Sequence, residues 1–188
     1  LLLLLTAPPA WPAPSFVKEP GIRITSAVAQ GMINTRMFYI RDSTAVYSAT
    51  TLDSGMTFTE EAVVRFSTFT APRVDVASIT GLSMQTLVPA GGYRMVYSAM
   101  CSTGTKYRIY SATSADGLAW SNDTGTRIEV NGGTTFLTSP SLIKLGTGEW
   151  RVYFVMSNDG TLNPASRRVY TAISTNEGRD FAAPSLAL

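Results

Sequence analysis

Short runs in which apolar and polar residues alternate with a period of two recur along this chain. They come in neighbouring pairs: "TRMFYI" with "AVYSAT", "GYRMVYSAM" with "KYRIYSAT", and "EWRVYFVMS" with "RRVYTAIS". Aromatic and β-branched residues dominate them, so each run predicts a β-strand with one face turned inward. A further apolar segment precedes each pair, namely "RITSAVAQ", "DVASITGLSMQTLV" and "SPSLIKL". No segment combines a helical period with helix caps, and the pattern predicts an all-β chain.

The pairs belong to a repeat. "TLDSGMTF", "TSADGLAW" and "STNEGRDF" follow the second strand of each pair, and their closing aromatics Phe58, Trp120 and Phe181 recur about every 60 residues. Asp53, Asp116 and Asn176 stand at one place in the repeat, followed by Gly55, Gly117 and Gly178. Such side chains accept hydrogen bonds from the backbone just ahead, while glycine takes positive φ, so each stretch predicts a tight turn. Phe58, Trp120 and Phe181 then open a fourth strand. Arg36, Arg94 and Arg151 share one place in the first strand of each pair, which suits strand-surface or inter-sheet pairing.

A four-stranded antiparallel unit of this length is what a β-propeller blade requires, because one blade cannot bury both faces alone. The predicted organisation is residues 1–16 as a leader remnant or Pro-rich arm, then blades at 17–69, 70–134 and 135–188. Propellers use 4 to 8 blades, so about three blades leave the ring incomplete. Either further blades belong to it, or copies associate along open β edges.

Composition narrows the chemistry. The chain has 188 residues, 45% hydrophobic and 15% charged, with a net charge of +2 and scattered basic residues. That balance carries no nucleic-acid signature. With no histidine and a single cysteine, Cys101, histidine-based catalysis and histidine–zinc sites are excluded, as is an internal disulfide. No metal or cofactor is expected. "LLLLLTAPPAWPAPSF" reads as the end of an export signal or as an extended arm, and its five leucines fall far short of the roughly 20 residues of a membrane span. A secreted or extracytoplasmic location is the expectation. Asn122-Asp123-Thr124 forms a glycosylation sequon.

The three turns resemble the Asp-box, or bacterial neuraminidase repeat, of sialidases and related propellers. "TLDSGMTF" matches its defined positions, "STNEGRDF" has Asn for Asp and Asp for Thr, and "TSADGLAW" is a shortened form. The phrase "GGYRMVYSA…YRIYSATSADGLAW" also resembles five-bladed propellers of the glycoside hydrolase clan that handles arabinan, xylan, fructan and mannosides. The resemblance covers residues 22–188 and implies a carbohydrate-associated propeller, glycan-binding or hydrolytic. It places activity on the innermost strand of each blade and leaves the Asp-box turns structural.

Hydrolysis of a glycosidic bond needs two positioned carboxyl groups. The innermost segments offer Asp75 as a catalytic carboxylate and Arg73, two residues earlier on the same face, as a substrate clamp. The third carries Ser139, Pro140 and Ser141 where the clan often places an acid, and the first offers Arg23 without one. Glu60 and Glu61 are expected at the start of an exposed outer strand. The alternative from another class is a non-catalytic structural or assembly protein whose blades mediate oligomer or fibre formation.

Overall fold

The computed structural model describes residues 23–25, 35–41, 43–53, 57–67, 76–87, 91–102, 106–129, 136–145, 148–157 and 164–187. The first sheet contains β1 (Arg23–Thr25), β2 (Thr35–Arg41), β3 (Ala45–Thr51) and β4 (Thr59–Ser67). The second contains β5 (Val76–Thr86), β6 (Tyr93–Cys101), β7 (Tyr107–Ser114) and β8 (Ser121–Asn122). The third contains β9 (Phe136–Leu145), β10 (Glu149–Ser157), β11 (Arg168–Ser174) and β12 (Ser185–Leu186), with a 3₁₀ turn at Pro164–Ser166 before β11. Strands follow chain order across each sheet and every pairing is antiparallel. These are three blades of a β-propeller. No helix among the described residues is long and apolar enough to cross a membrane.

Burial along equivalent strands shows how the sheets stack. In β6 every residue from Arg94 to Ala99 is buried, because the second sheet is covered on both faces. Met95, Tyr97 and Ala99 join a core with Phe38, Val46 and Phe66 of the first sheet. Val96 joins a second core with Trp150, Val152, Phe154 and Met156 of the third. In β10 burial alternates strictly from Glu149 to Met156, since one face meets the second sheet and the other has no neighbour among the described residues. Burying a side chain the size of Phe154 contributes about 1.5–3 kcal/mol, and each core draws such residues from two neighbouring sheets.

A cross-strand aromatic pair recurs in each sheet. Tyr97 lies against Tyr110 at 5.6 Å between ring centroids, and Phe154 against Tyr170 at 6.2 Å. The first sheet has Tyr39 and Tyr47 at 6.0 Å, with the Arg41 guanidinium 4.5 Å from the Tyr47 ring centroid.

The first strands β5 and β9 approach closely at Gly81. A Cβ there would lie 3.1 Å from Ser139 N and 3.1 Å from Pro140 Cδ. Both strands bulge at this point, between Ile79 and Gly81 in β5 and opposite Tyr153–Val155 in β9. β9 is an edge strand, so Pro140 costs no ladder bond there. Thr138 Oγ1 donates to Thr80 O, Leu142 N donates to Ser83 Oγ, and Gln85 Nε2 donates to Leu142 O. These bonds fix the two sheets in register.

Two glycines before β6 separate backbone strain from crowding. Gly91 (φ 78°) and Gly92 (φ 84°) are both left-handed, but a Cβ on Gly92 would sit 2.5 Å from Ser114 O whereas Gly91 has open space around it. Gly91→Ala is expected to cost about 1–3 kcal/mol from backbone strain alone. Gly92→Ala is expected to cost more, because the β6–β7 hairpin must also shift. Urea midpoints of the two variants check this; equal losses would contradict it.

Candidate functional site

The three repeated turns are built on the ends of β3, β7 and β11. Each strand closes on a buried hydroxyl, Thr51, Ser114 or Ser174. That hydroxyl donates to an Asx side chain two residues on: Thr51 to Asp53 at 2.6 Å, Ser114 to Asp116 at 3.1 Å and Ser174 to Asn176 at 2.9 Å. The Asx oxygen then accepts a backbone N–H further along the turn, from Thr57, Ala119 or Asp180. In the second and third turns the strand-end hydroxyl also accepts the N–H of Gly117 or Gly178. The backbone N–H groups of Leu118 and Ala119 hold the Asp116 carboxyl below its ordinary value. Trp120 Nε1 donates to Gly117 O at 3.1 Å, and Trp120 packs edge-on against Phe38 of the first sheet. Phe181 packs on the second core beside Trp150, and Phe58 is half-buried. Gly55 lies outside the described residues. These side chains are occupied in holding hairpins, which leaves them no free carboxylate for chemistry.

Two of the three repeated arginines close a bridge across their sheets. Arg36 on β2 bonds Glu61 on β4 at 2.8 Å, and Ser48 on β3 donates to the same carboxylate at 2.6 Å. Arg94 on β6 bonds Asp123 just past β8 at 2.5 Å, with Ser111 on β7 donating at 2.5 Å. Glu61 and Asp123 each stand three residues after the turn aromatic, Phe58 or Trp120. The Arg36 hydrogen bond, helped by Ser48, holds the Glu61 carboxyl below the ordinary 4.5. The sequence reading left both bridges unseen, treating Glu61 as an exposed strand start and Asp123 as part of a sequon. The common offset from the aromatic is the signal that could have found them.

Glu60 stands at the start of β4 as an exposed residue and pairs with Arg41. Burial, and then the Glu60 hydrogen bond, push the Tyr39 hydroxyl up to about 12.

The inner strands present hydroxyls. β5 carries Ser78, Thr80 and Ser83, and β9 carries Thr138, Ser139 and Ser141; neither contains an acidic residue. Ser139 is exposed and has φ 53°, a left-handed backbone of the kind that accumulates at functional surfaces. Asp75 and Arg73 lie outside the described residues; Asp75 directly precedes the first residue of β5 in sequence. Among the described residues no cluster of three or more metal-ligating side chains occurs.

At the turn end, an open groove of about 830 Å³ runs between the second sheet and the last turn of the third. Arg94, Ser121, Asp123, Arg127, Arg179 and Asp180 line it. It offers mixed donors and acceptors and no aromatic platform.

The fold has counterparts among solved structures. A thermostable family-43 glycoside hydrolase superposes with a TM-score of 0.69 over 91% of this chain and 55% of its own, at 12% identity. The Bombyx mori family-32 β-fructofuranosidase gives 0.63 over 85% of this chain and 36% of its own, at 15% identity. The Penicillium chrysogenum α-L-arabinanase gives 0.56 over 89% of this chain and 50% of its own, at 13% identity. The fold is therefore a glycoside-hydrolase-like β-propeller. The chain spans about half or less of the length of these structures. No family model and no curated protein matches it by sequence.

The two bridges differ in burial and so in consequence. The Arg94 side chain is only 4% exposed, against 28% for Arg36. Asp123→Ala leaves a buried guanidinium unpaired and is expected to cost about 3–5 kcal/mol; Glu61→Ala should cost less. Because the folded pKa of Glu61 is lowered, its stabilisation is complete above the ordinary 4.5 and is lost as pH falls through the lowered value. Glu61→Gln is therefore expected to flatten the fall in urea midpoint between about pH 6 and about pH 3. Parallel pH curves for wild type and variant would contradict that assignment.

Proposed function

We propose that this chain is part of an extracytoplasmic, carbohydrate-associated β-propeller that binds glycans along the inner edges of its sheets. The observation that carries this reading is the pairing of a glycoside-hydrolase-like fold with an exposed hydroxyl, Ser139, on an inner strand; Thr80, Ser83 and Thr138 are already engaged in hydrogen bonds within or between the sheets. Serine and threonine hydroxyls both donate and accept, as sugar hydroxyls do, and exposed Ser139 is the contact of choice. Hydrolysis needs two carboxyl groups roughly 5–10 Å apart. The described parts of β5 and β9 offer none, which favours binding over turnover. In a hydrolytic version Asp75 is the catalytic carboxylate and Arg73 the clamp on substrate.

Affinity electrophoresis on arabinan, xylan, fructan and mannan, with sialosides tested by calorimetry, measures this directly. Retardation by at least one glycan is expected, with about a tenfold loss of affinity, some 1.4 kcal/mol, on Ser139→Phe. Absence of binding to the whole panel would overturn the proposal. Aryl-glycoside turnover by wild type and its loss in Asp75→Asn would move the reading from binding to hydrolysis.

A further inference from the structure

We propose that the groove between the second sheet and the last turn of the third takes an acidic saccharide, held through the carboxylate of a uronate unit. That the ligand is a saccharide rests on the glycan-binding reading above; that it carries a carboxylate follows from the groove itself. At about 830 Å³ the groove is of the size that holds small ligands. Both of its walls belong to described sheets, and none of its lining residues lies on β9, so it is separate from Ser139.

Two arginines reach the groove from its two walls. A Cβ on Gly178 would lie 3.1 Å from Arg94 Cδ, so the bare glycine lets the Arg94 stem rest against the third-sheet turn. The next residue of that turn is Arg179. The Arg94 side chain is nearly buried, 4% exposed, whereas Arg179 is exposed at the rim. Guanidinium groups from two sheets thus line one space.

The carboxylates of the groove are already engaged. Asp123 Oδ2 accepts from Arg94 Nη1 and from Ser111 Oγ, both at 2.5 Å, and its Oδ1 accepts from Thr113 Oγ1 at 3.3 Å. Asp180 Oδ2 accepts from Asn176 Nδ2 at 2.9 Å, and its Oδ1 faces Arg127 Nη1 at 3.8 Å. Arg94 and Arg127 thereby answer the two aspartates, and Arg179 is left as the surplus cation, with no ion-pair partner among the described residues. Arg94 spends only Nη1, and its Nε is buried without a hydrogen-bond partner among the described residues. The hydroxyls of Ser121 and Thr124 line the same groove and carry no hydrogen bond among the described residues. A carboxylate matches the planar fork of Arg179 through two parallel bonds, while sugar hydroxyls suit Ser121 and Thr124, which both donate and accept. A neutral glycan lacks the group that answers Arg179.

Isothermal titration calorimetry of the whole chain with trigalacturonate tests this, with the fully methyl-esterified trisaccharide and acetate as comparison ligands. Trigalacturonate is expected to bind and the ester is not. Arg179→Gln, at an exposed position, should weaken binding about tenfold, as loss of hydrogen bonds to a charged group does. Ser121→Leu should weaken it from the other wall, and Ser139→Phe should leave it unchanged. A wild type that does not bind trigalacturonate overturns the proposal, and if it still binds neutral glycans, this site alone falls. Equal binding of acid and ester, or affinity unchanged by both groove variants, also overturns it. Acetate that displaces trigalacturonate at equal concentration marks a bare anion site and overturns the saccharide assignment. Binding lost in Ser139→Phe but kept in Arg179→Gln would move the ligand to the inner edge of β9, which overturns the groove site and supports the glycan-binding reading.

Discussion

The buried hydroxyl at the end of each third strand is the constraint on which this architecture turns. Thr51, Ser114 and Ser174 sit where strand gives way to turn, 2%, 7% and 2% exposed. A hydroxyl so buried must be satisfied, and it is satisfied by the Asx side chain that shapes the turn. The turn then delivers an aromatic to the interface with the preceding sheet and a glycine to the arginine of that sheet. One polar group inside a hairpin thereby sets how whole sheets meet.

The arginine bridges work at the next level. Each spans three strands through a serine, tying the second strand to the fourth. The fourth strands of the second and third sheets are only two residues long, too short for ladder bonds alone to hold them. In the second sheet the Arg94–Asp123 bond and the Tyr97–Asn122 bond at 2.6 Å do that work. Among the described residues the third sheet has no equivalent ion pair, and its last strand holds through bonds such as Ala187 N to Val169 O.

The strand pattern and the repeat were legible because both are local. Period-two alternation marks a strand wherever it occurs, and three turns in near-constant register reveal a repeat without any knowledge of contacts. The bridges were not legible, because Arg36 and Glu61 are 25 residues apart and Arg94 and Asp123 are 29 apart, with a different acid in each. Nor does alternation say which face will be covered: β6 and β10 read alike, yet one is buried on both sides and the other on one. That difference arises from neighbours. Asp75 and Arg73, the acid and the clamp expected on the inner strands, fall beyond the described residues.

Cys101 is the chain's single thiol. It ends β6, is 4% exposed, and its Sγ lies 3.7 Å from the Tyr110 hydroxyl inside the core shared by the first two sheets. A reagent can reach it only when that core opens. The rate at which it is alkylated therefore clocks the parting of the first sheet from the second under native conditions, a local opening that global unfolding curves do not resolve.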